Sequence, residues 1–217
     1  MTVESARQDE STGSEQSEPT ITLPQRDDFT PRYDFNDISK LGKARNRIGI
    51  LLYNSLITHI PSHTVRQGFL RAFGAKIGKG TSILRGCLFF DIDQVRIGDY
   101  CSIGFRCLFD ARSGILIGDN VVIASDTQII AGHHDPNSPT FAPILNPVRI
   151  GDYVWLASRS TVLANVDIGR GAVVGACALV TKSVNDLEMV AGVPAKVRSM
   201  RDPDALQYRP FYRPLLY

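Results

Sequence analysis

The chain has four histidines, and two are adjacent: His133 and His134 stand with Asp135 at the head of AGHHDPNSPTFAPILNPVRIGDY, residues 131–153. An imidazole titrates near neutral pH, so a positioned histidine can take a proton from a hydroxyl or an amine in a transition state, or bind a metal. Metal sites need ligands converging from separate places. Cys87, Cys101, Cys107 and Cys177 show no CxxC pair and no histidine at ligand spacing, so neither zinc nor a disulfide framework is indicated. A surface histidine with no such duty is merely solvated. What sets this pair apart is the stretch around it, which carries four prolines and interrupts a rhythm.

Ile-Gly recurs at Ile77-Gly78, Ile97-Gly98, Ile117-Gly118, Ile150-Gly151 and Ile168-Gly169, with apolar anchors Ile83, Phe89, Ile103, Phe109, Ile123 and Ile129 between them. Ile150, Leu156, Val162, Ile168, Val174 and Val180 are six apart throughout. A period of six is neither the 3.6 of a helix nor the 2 of a half-buried strand. It is the period of a β-helix, in which three hexads close one coil and anchors of successive coils stack inside. Burying one aliphatic anchor is worth roughly 1.5–3 kcal/mol, so the anchors make an adequate core. The small residue after each anchor is expected near a corner, where a side chain has little room or the backbone takes unusual dihedrals. Successive coil starts lie 20, 20, 33 and 18 residues apart. The long gap predicts about five coils and a loop over 131–148 that leaves after the third; long loops on a rigid scaffold commonly carry function.

Composition narrows the reading further. At 43% hydrophobic and 21% charged, with a net charge of +2, the chain reads as one soluble domain with appendages. Without a basic stripe interleaved with aromatics, nucleic acid is excluded as a partner. The polar, acidic N-terminus argues against a secretory signal, so reduced thiols and a cytoplasmic location are expected. Residues 1–32 are read as a flexible acidic tail, strapped down near Ile21 and Leu23. Residues 33–75 form a helical cap. Ile38, Leu41, Ala44, Ile48, Leu51, Leu52 and Ile57 predict an amphipathic helix, Pro61 interrupts, and Ser62 caps a second helix with Val65, Phe69, Leu70 and Phe73 that stops at Gly74. These helices are expected to close one end of the larger body; the sharper reading makes residues 36–73 a peripheral membrane contact, being too short and polar to span. The C-terminal extension, 187–217, ends in DPDALQYRPFYRPLLY. It fits no repeat and is expected to lie across the body or a neighbouring subunit, burying Phe211, Tyr212 and Leu215.

The hexads, the interruption after a histidine, IGDYVW on re-entry and the closing VTKSVNDLEMVAGVPAKV resemble the left-handed β-helix acyltransferases that use acetyl-CoA. The similarity covers roughly residues 69–201. It extends to the galactoside and maltose acetyltransferases and, more closely, to the colanic-acid-type acetyltransferases of polysaccharide biosynthesis. The resemblance implies a mainly β fold, with a left-handed parallel β-helix over 76–186, assembled as a homotrimer with active sites between subunits. The left-handed sense comes from the resemblance alone, because crossovers are generally right-handed. In those families the catalytic histidine is the eighteenth residue from the Ile opening its coil. Counting from Ile117 gives His134, and HDPNSPTF resembles the loop of the colanic-acid group. His134 is then the general base, and acetyl-CoA as co-substrate brings its own leaving group, so no metal and no enzyme nucleophile are required.

By the same resemblance the CoA arm follows the coils after the loop, past Trp155, Ala157 and Ser158, then Gly175 and Ala176, Thr181 and Lys182, and Lys196 and Arg201. Small residues admit the pantetheine to backbone amides, and the cations face its phosphates. Where galactoside acetyltransferases hold the acceptor with an Asn, this chain has Arg106, which suits a phosphate- or carboxylate-bearing acceptor. Asp110 and Asp135 complete the candidate acceptor contacts, with Arg112 nearby. The function implied is O-acetylation of a sugar or a polysaccharide or glycolipid precursor. N-acetylation of an amino sugar, acetylation of a small alcohol or antibiotic, and a non-catalytic β-helix scaffold are the alternatives. The γ-type carbonic anhydrases share the prism but need three metal-binding histidines, and only His133 and His134 fall within these repeats.

Overall fold

A computed structural model of the chain describes residues 20–34, 36 and 38–210. Three parallel sheets form the sides of a prism. The first contains Lys76–Ile77, Val95–Ile97, Ile115–Ile117, Val148–Ile150 and Asp167–Ile168, continued by a bridge from Ile168 to Val184. The second contains Ser82–Ile83, Ser102–Ile103, Val122–Ile123, Trp155–Leu156, Val173–Val174 and Glu188–Ala191, and the third Leu88–Phe90, Leu108–Asp110, Gln128–Ile130, Thr161–Val162 and Leu179–Val180. Five coils are complete, and Val184 with Glu188–Ala191 begins a sixth. Strand Lys196–Met200 then turns back antiparallel on Glu188–Ala191.

The hexad anchors are the core. Ile97, Ile117, Ile150 and Ile168 stack in register with full burial, as do Ile103 over Ile83 and Phe109 over Phe89; Ile77, at the open end, is half-buried. Phe89 and Phe109 stack with ring centroids 4.7 Å apart. A second inward row, one residue ahead of the short strands, includes Cys101, Val121, Val154 and Ala172 on one side and Cys87, Cys107 and Ala178 on another. Three of the four cysteines are thus packing residues. Cys101 Sγ lies 3.1 Å from Gly118 O, and burial pushes its thiol up to about 12.

The Ile-Gly-Asp motif has a cross-coil explanation. Asp119 Oδ1 accepts from Asp99 N at 2.7 Å, and Asp152 Oδ1 accepts from Asp119 N at 2.7 Å, so each carboxylate satisfies a backbone N–H of the preceding coil. The approach passes directly over the motif glycine: a Cβ on Gly98 or Gly118 would collide with the carboxylate of the next coil. Lack of room, as expected, excludes side chains there. The unusual dihedrals fall two residues further on, at Tyr100, Asn120 and Tyr153, with φ of 54°, 57° and 59°.

The segment read as a tail lies against the prism from Thr20 onward. Thr22 N and Oγ1 donate to the Asp186 carboxylate, Arg96 donates to Asp28 O, and Arg32 N donates to Ser113 O. Arg32 itself is buried between Asp91 and Asp93, at 2.9 and 2.8 Å. Unmet backbone groups and fixed carboxylates on the prism supply the partners that a composition-based reading of a polar segment does not see.

Two helices close the first coil, α1 (Lys40–Ser55) and α2 (His63–Ala72), the latter capped by Ser62 as expected. The apolar stripe of α1 does not face the prism. Leu41, Ile48, Leu51 and Leu52 are exposed, and the inward residues include Gly49, Tyr53 and Asn54. The reason is that the first coil presents a strand edge whose carbonyls and N–H groups need partners more than apolar cover. Asn54 bonds Phe89 N and O, Thr58 donates to Cys87 O, Gln67 to Thr81 O, and the fully buried Arg66 to Ile83 O at 2.7 Å. Tyr53 extends the aromatic stack, edge-on to Phe89 at 5.3 Å, and Phe69 in α2 and Phe73 at its end continue it.

Candidate active site

The stretch 131–148, expected as a loop, contains a β-hairpin. Gly132–His134 pairs antiparallel with Pro143–Leu145, and Asp135 N donates to Ala142 O to close it. It leaves the prism after Gln128–Ile130 of the third sheet and rejoins at Val148–Ile150 of the first. Its tip is held by local bonds: Asp135 Oδ1 accepts from Asn137 N, and Ser138 O accepts from Phe141 N. Asp135 therefore works first as a turn residue.

His134 is held by two contacts with Phe141 across the hairpin. Its Nδ1 lies 2.8 Å from Phe141 O, and its ring stacks on the Phe141 ring with centroids 4.5 Å apart and planes 5° from parallel. A carbonyl oxygen only accepts, so Nδ1 carries the proton and Nε2 is left with its lone pair. His133, its neighbour, has no side-chain hydrogen bond among the described residues. Adjacent strand residues face opposite ways, so the two imidazoles cannot substitute for each other.

The root of the hairpin meets the preceding coil. Asp110 pairs across the third sheet with Ile130, and its carbonyl accepts from Ala131 N. Arg112 donates twice to the Asp110 carboxylate, at 2.8 and 2.6 Å, and its guanidinium flanks Gly132. Asp110 is nearly buried and Arg112 about one-third exposed, so a matched pair of charges borders the strand that carries His134. Arg106 is not in this group. It sits at the opposite end of its strand, four residues or about 13 Å from Asp110, at a positive-φ turn where it forms a bidentate pair with Asp126. Asp126 is held below the usual carboxylate range by that guanidinium.

The residues expected along the cofactor divide between places. Ala157 and Ser158 form the turn from second to third sheet, and Gly175 and Ala176 form the same turn one coil on, tied by Ala157 N to Val174 O and Cys177 N to Ser158 O. Lys196, opposite Ala191, continues that edge on the sixth level, where Ala195 N donates to Leu179 O. Small residues and an exposed cation thus line one prism edge over three levels, about 10 Å, with Ala157 buried, Gly175 half-buried and Ser158, Ala176 and Lys196 exposed. Thr181 and Lys182 lie at the far end of the third sheet, exposed. Trp155 projects from the second sheet beside Val122, Arg201 and Tyr208. Arg201 is occupied: it donates to Tyr153 O, Gly171 O and Tyr208 Oη, clamping the C-terminal segment to the prism. Within one chain the small-residue edge precedes the third-sheet strands and the hairpin follows them, so the two are separated by the width of that sheet. Phe211, Tyr212 and Leu215 lie outside the described residues.

Sequence reasoning missed the Asp carboxylate ladder, the Phe141 carbonyl and the Arg112–Asp110 pairing. The spacing Asp110-x-Arg112 and the Asp that recurs after Ile-Gly at 99, 119 and 152 were the local signals among these.

With this geometry in hand, comparison with known proteins is direct. Residues 147–182 match the bacterial transferase hexapeptide family (six repeats), and 94–125 match the hexapeptide repeat of succinyl-transferase. The chain is 36% identical to "Putative colanic acid biosynthesis acetyltransferase WcaF" of Escherichia coli (strain K12), over 61% of this chain and 72% of that protein. The chain belongs to the hexapeptide-repeat acetyltransferases. The galactoside O-acetyltransferase of Escherichia coli (strain K12) is 27% identical, covering 82% of this chain and 91% of that one. Among solved structures, a maltose O-acetyltransferase from Clostridium difficile 630 superposes with a TM-score of 0.68 at 21% identity, covering 81% of this chain and 95% of that one. A hexapeptide-repeat-containing acetyltransferase from Vibrio cholerae, solved with acetyl coenzyme A, gives 0.67 at 24%, covering 75% and 89%. The left-handed sense of the coils comes with this family. Among the described residues, no three His, Cys, Asp or Glu side chains converge as for a metal.

Proposed function

We propose that this acetyltransferase transfers the acetyl group of acetyl-CoA to a hydroxyl of a sugar unit in a polysaccharide or glycolipid precursor, with His134 as general base. The observation that carries the reading is the Phe141 carbonyl on His134 Nδ1, which commits Nε2 to accepting a proton. Acetyl-CoA supplies the acyl group and its own thiolate leaving group. The chain then has to hold two substrates and move one proton. His134 Nε2 takes the acceptor proton as the new C–O bond forms, and the imidazolium gives it up as the thiol departs. The Phe141 carbonyl and ring keep the imidazole from turning, and the stacked ring stabilises the cation as it forms.

Ser158, Gly175 and Ala176 admit the pantetheine along their edge beside Ala157, Lys196 on the sixth level of that edge faces its phosphates, and Trp155 flanks the same face. Asp110 and Arg112 present an acceptor and a donor to the sugar hydroxyls. Because hairpin and edge stand on opposite sides of the third sheet, the active site is assembled between copies in a homotrimer, one chain's hairpin reaching the small-residue edge of its neighbour. The relatives named for colanic acid biosynthesis and for galactoside acetylation favour a glycan acceptor.

The test is thiol release from acetyl-CoA by purified protein against sugars, nucleotide sugars, amino sugars and small alcohols. Stimulation by a hydroxyl-bearing sugar supports the reading. Stimulation by amino sugars alone replaces it with N-acetylation, and release from no acceptor together with no acetyl-CoA binding contradicts it.

A further inference from the structure

The capping helix α1 has one face for the prism and another left exposed among the described residues. Its inward residues bond the first-coil edge, and its outward face carries Leu41, Ile48 and Leu52 in line, with Leu51 alongside and Leu56 just beyond the last turn. These are 81%, 54%, 38%, 65% and 62% exposed. At 1.5 Å per residue the helix is about 24 Å long. Its outward leucines and isoleucine therefore form a stripe rather than scattered contacts, and a contiguous apolar patch of this kind marks an interaction surface.

Charge says what covers it. From residue 38 to 90 the chain has nine Lys and Arg and no Asp or Glu. Arg45, Arg66 and Arg71 are occupied by carbonyls of the cap and the first coil. Lys40, Lys43 and Arg47, by contrast, make no ion pair among the described residues. At 100° per residue Lys40 and Arg47 flank the apolar stripe on one side and Arg45 on the other. An exposed apolar stripe bordered by cations, on a helix without acids, is the pattern of a helix lying in an anionic lipid interface. A second copy of the chain is disfavoured, since two such faces would oppose like charges. No helix among the described residues is long and apolar enough to cross a membrane.

We propose that the outward face of α1 docks this protein peripherally on an anionic phospholipid bilayer. The apolar residues enter the headgroup region and Lys40 and Arg47, at the border of the stripe, meet lipid phosphates. Cap and prism are joined by the edge hydrogen bonds, so the catalytic body would be held at the membrane surface. The proposal does not depend on His134 or on the acceptor.

The experiment is co-sedimentation of the full chain with vesicles of phosphatidylcholine alone and of phosphatidylcholine with phosphatidylglycerol. The expected result is binding at least about tenfold tighter to the anionic vesicles, weakened by added salt. Ile48→Glu/Leu52→Glu and, separately, Lys40→Glu/Arg47→Glu should each lower that binding about tenfold or more, with solution mass and thiol release unchanged. Absence of binding to anionic vesicles, equal binding to both compositions, or variants that bind like the parent would overturn it. So would a fall in solution mass with Ile48→Glu/Leu52→Glu, which would give the face to a second copy. Since vesicle binding is read without acetyl-CoA or acceptor, its failure leaves the acetyl-transfer reading untouched, and failure of that reading leaves the docking result standing.

Discussion

Two edges of the prism are built from the same hexads and treat their residues differently. Between the first and second sheets, Gly98, Gly118, Asp99, Asp119 and Asp152 are each fixed by a counterpart one coil away. Between the third and first sheets, the hairpin from Gly132 to Leu145 escapes the repeat, and its residues are fixed mainly by one another, His134 by Phe141 and Asp135 by the turn it forms. Repetition supplies rigidity where neighbours are interchangeable. A side chain with a unique task needs a place where the repeat lets go but the root stays anchored, and Asp110, Arg112 and Gly132 provide that root.

The comparison predicts that prism and hairpin substitutions separate stability from turnover. Phe109→Ala, which empties the stacked aromatic core, should cost ~3–5 kcal/mol in denaturant unfolding. Phe141→Ala, exposed on the hairpin, should cost under about 1 kcal/mol by the same measurement. Gly118→Ala forces a Cβ onto Asp152 and should cost up to ~3 kcal/mol, although it removes no contact; a neutral result would break the account of the Ile-Gly-Asp motif. Asp119→Ala leaves Asp99 N without its carboxylate and should cost about 1.5 kcal/mol. Arg106→Ala stands at the small end. Its pair with Asp126 is exposed and screened, so neither the melting temperature nor the KM for acceptor should move. A raised acceptor KM would return Arg106 to the acceptor site.

Much of the prism was legible because hexad periodicity is local. Ile150, Leu156, Val162, Ile168, Val174 and Val180 announce their own stacking, and the 33-residue gap marks the interruption to within a few residues. The carboxylate ladder was not legible, because it joins residues 20 to 33 apart and depends on register. The orientation of α1 was not legible for a physical reason: an apolar stripe usually seeks a core, whereas the first coil offered a strand edge that required Asn54, Thr58, Arg66 and Gln67. At the site, the position of His134 followed from the family count, but the hairpin did not, since four prolines read as loop. The Phe141 carbonyl carries no sequence signature, and the place of Arg106 could be judged only once Asp126 was seen beneath it.

The most direct test of the central claim compares His134→Ala with His133→Ala in steady-state acetyl transfer, with unfolding measured on both. The account predicts that turnover falls ~10²–10⁴-fold for His134→Ala and less than about tenfold for His133→Ala, while both variants unfold like the parent. Equal losses in the two variants, or full activity in His134→Ala, would contradict it.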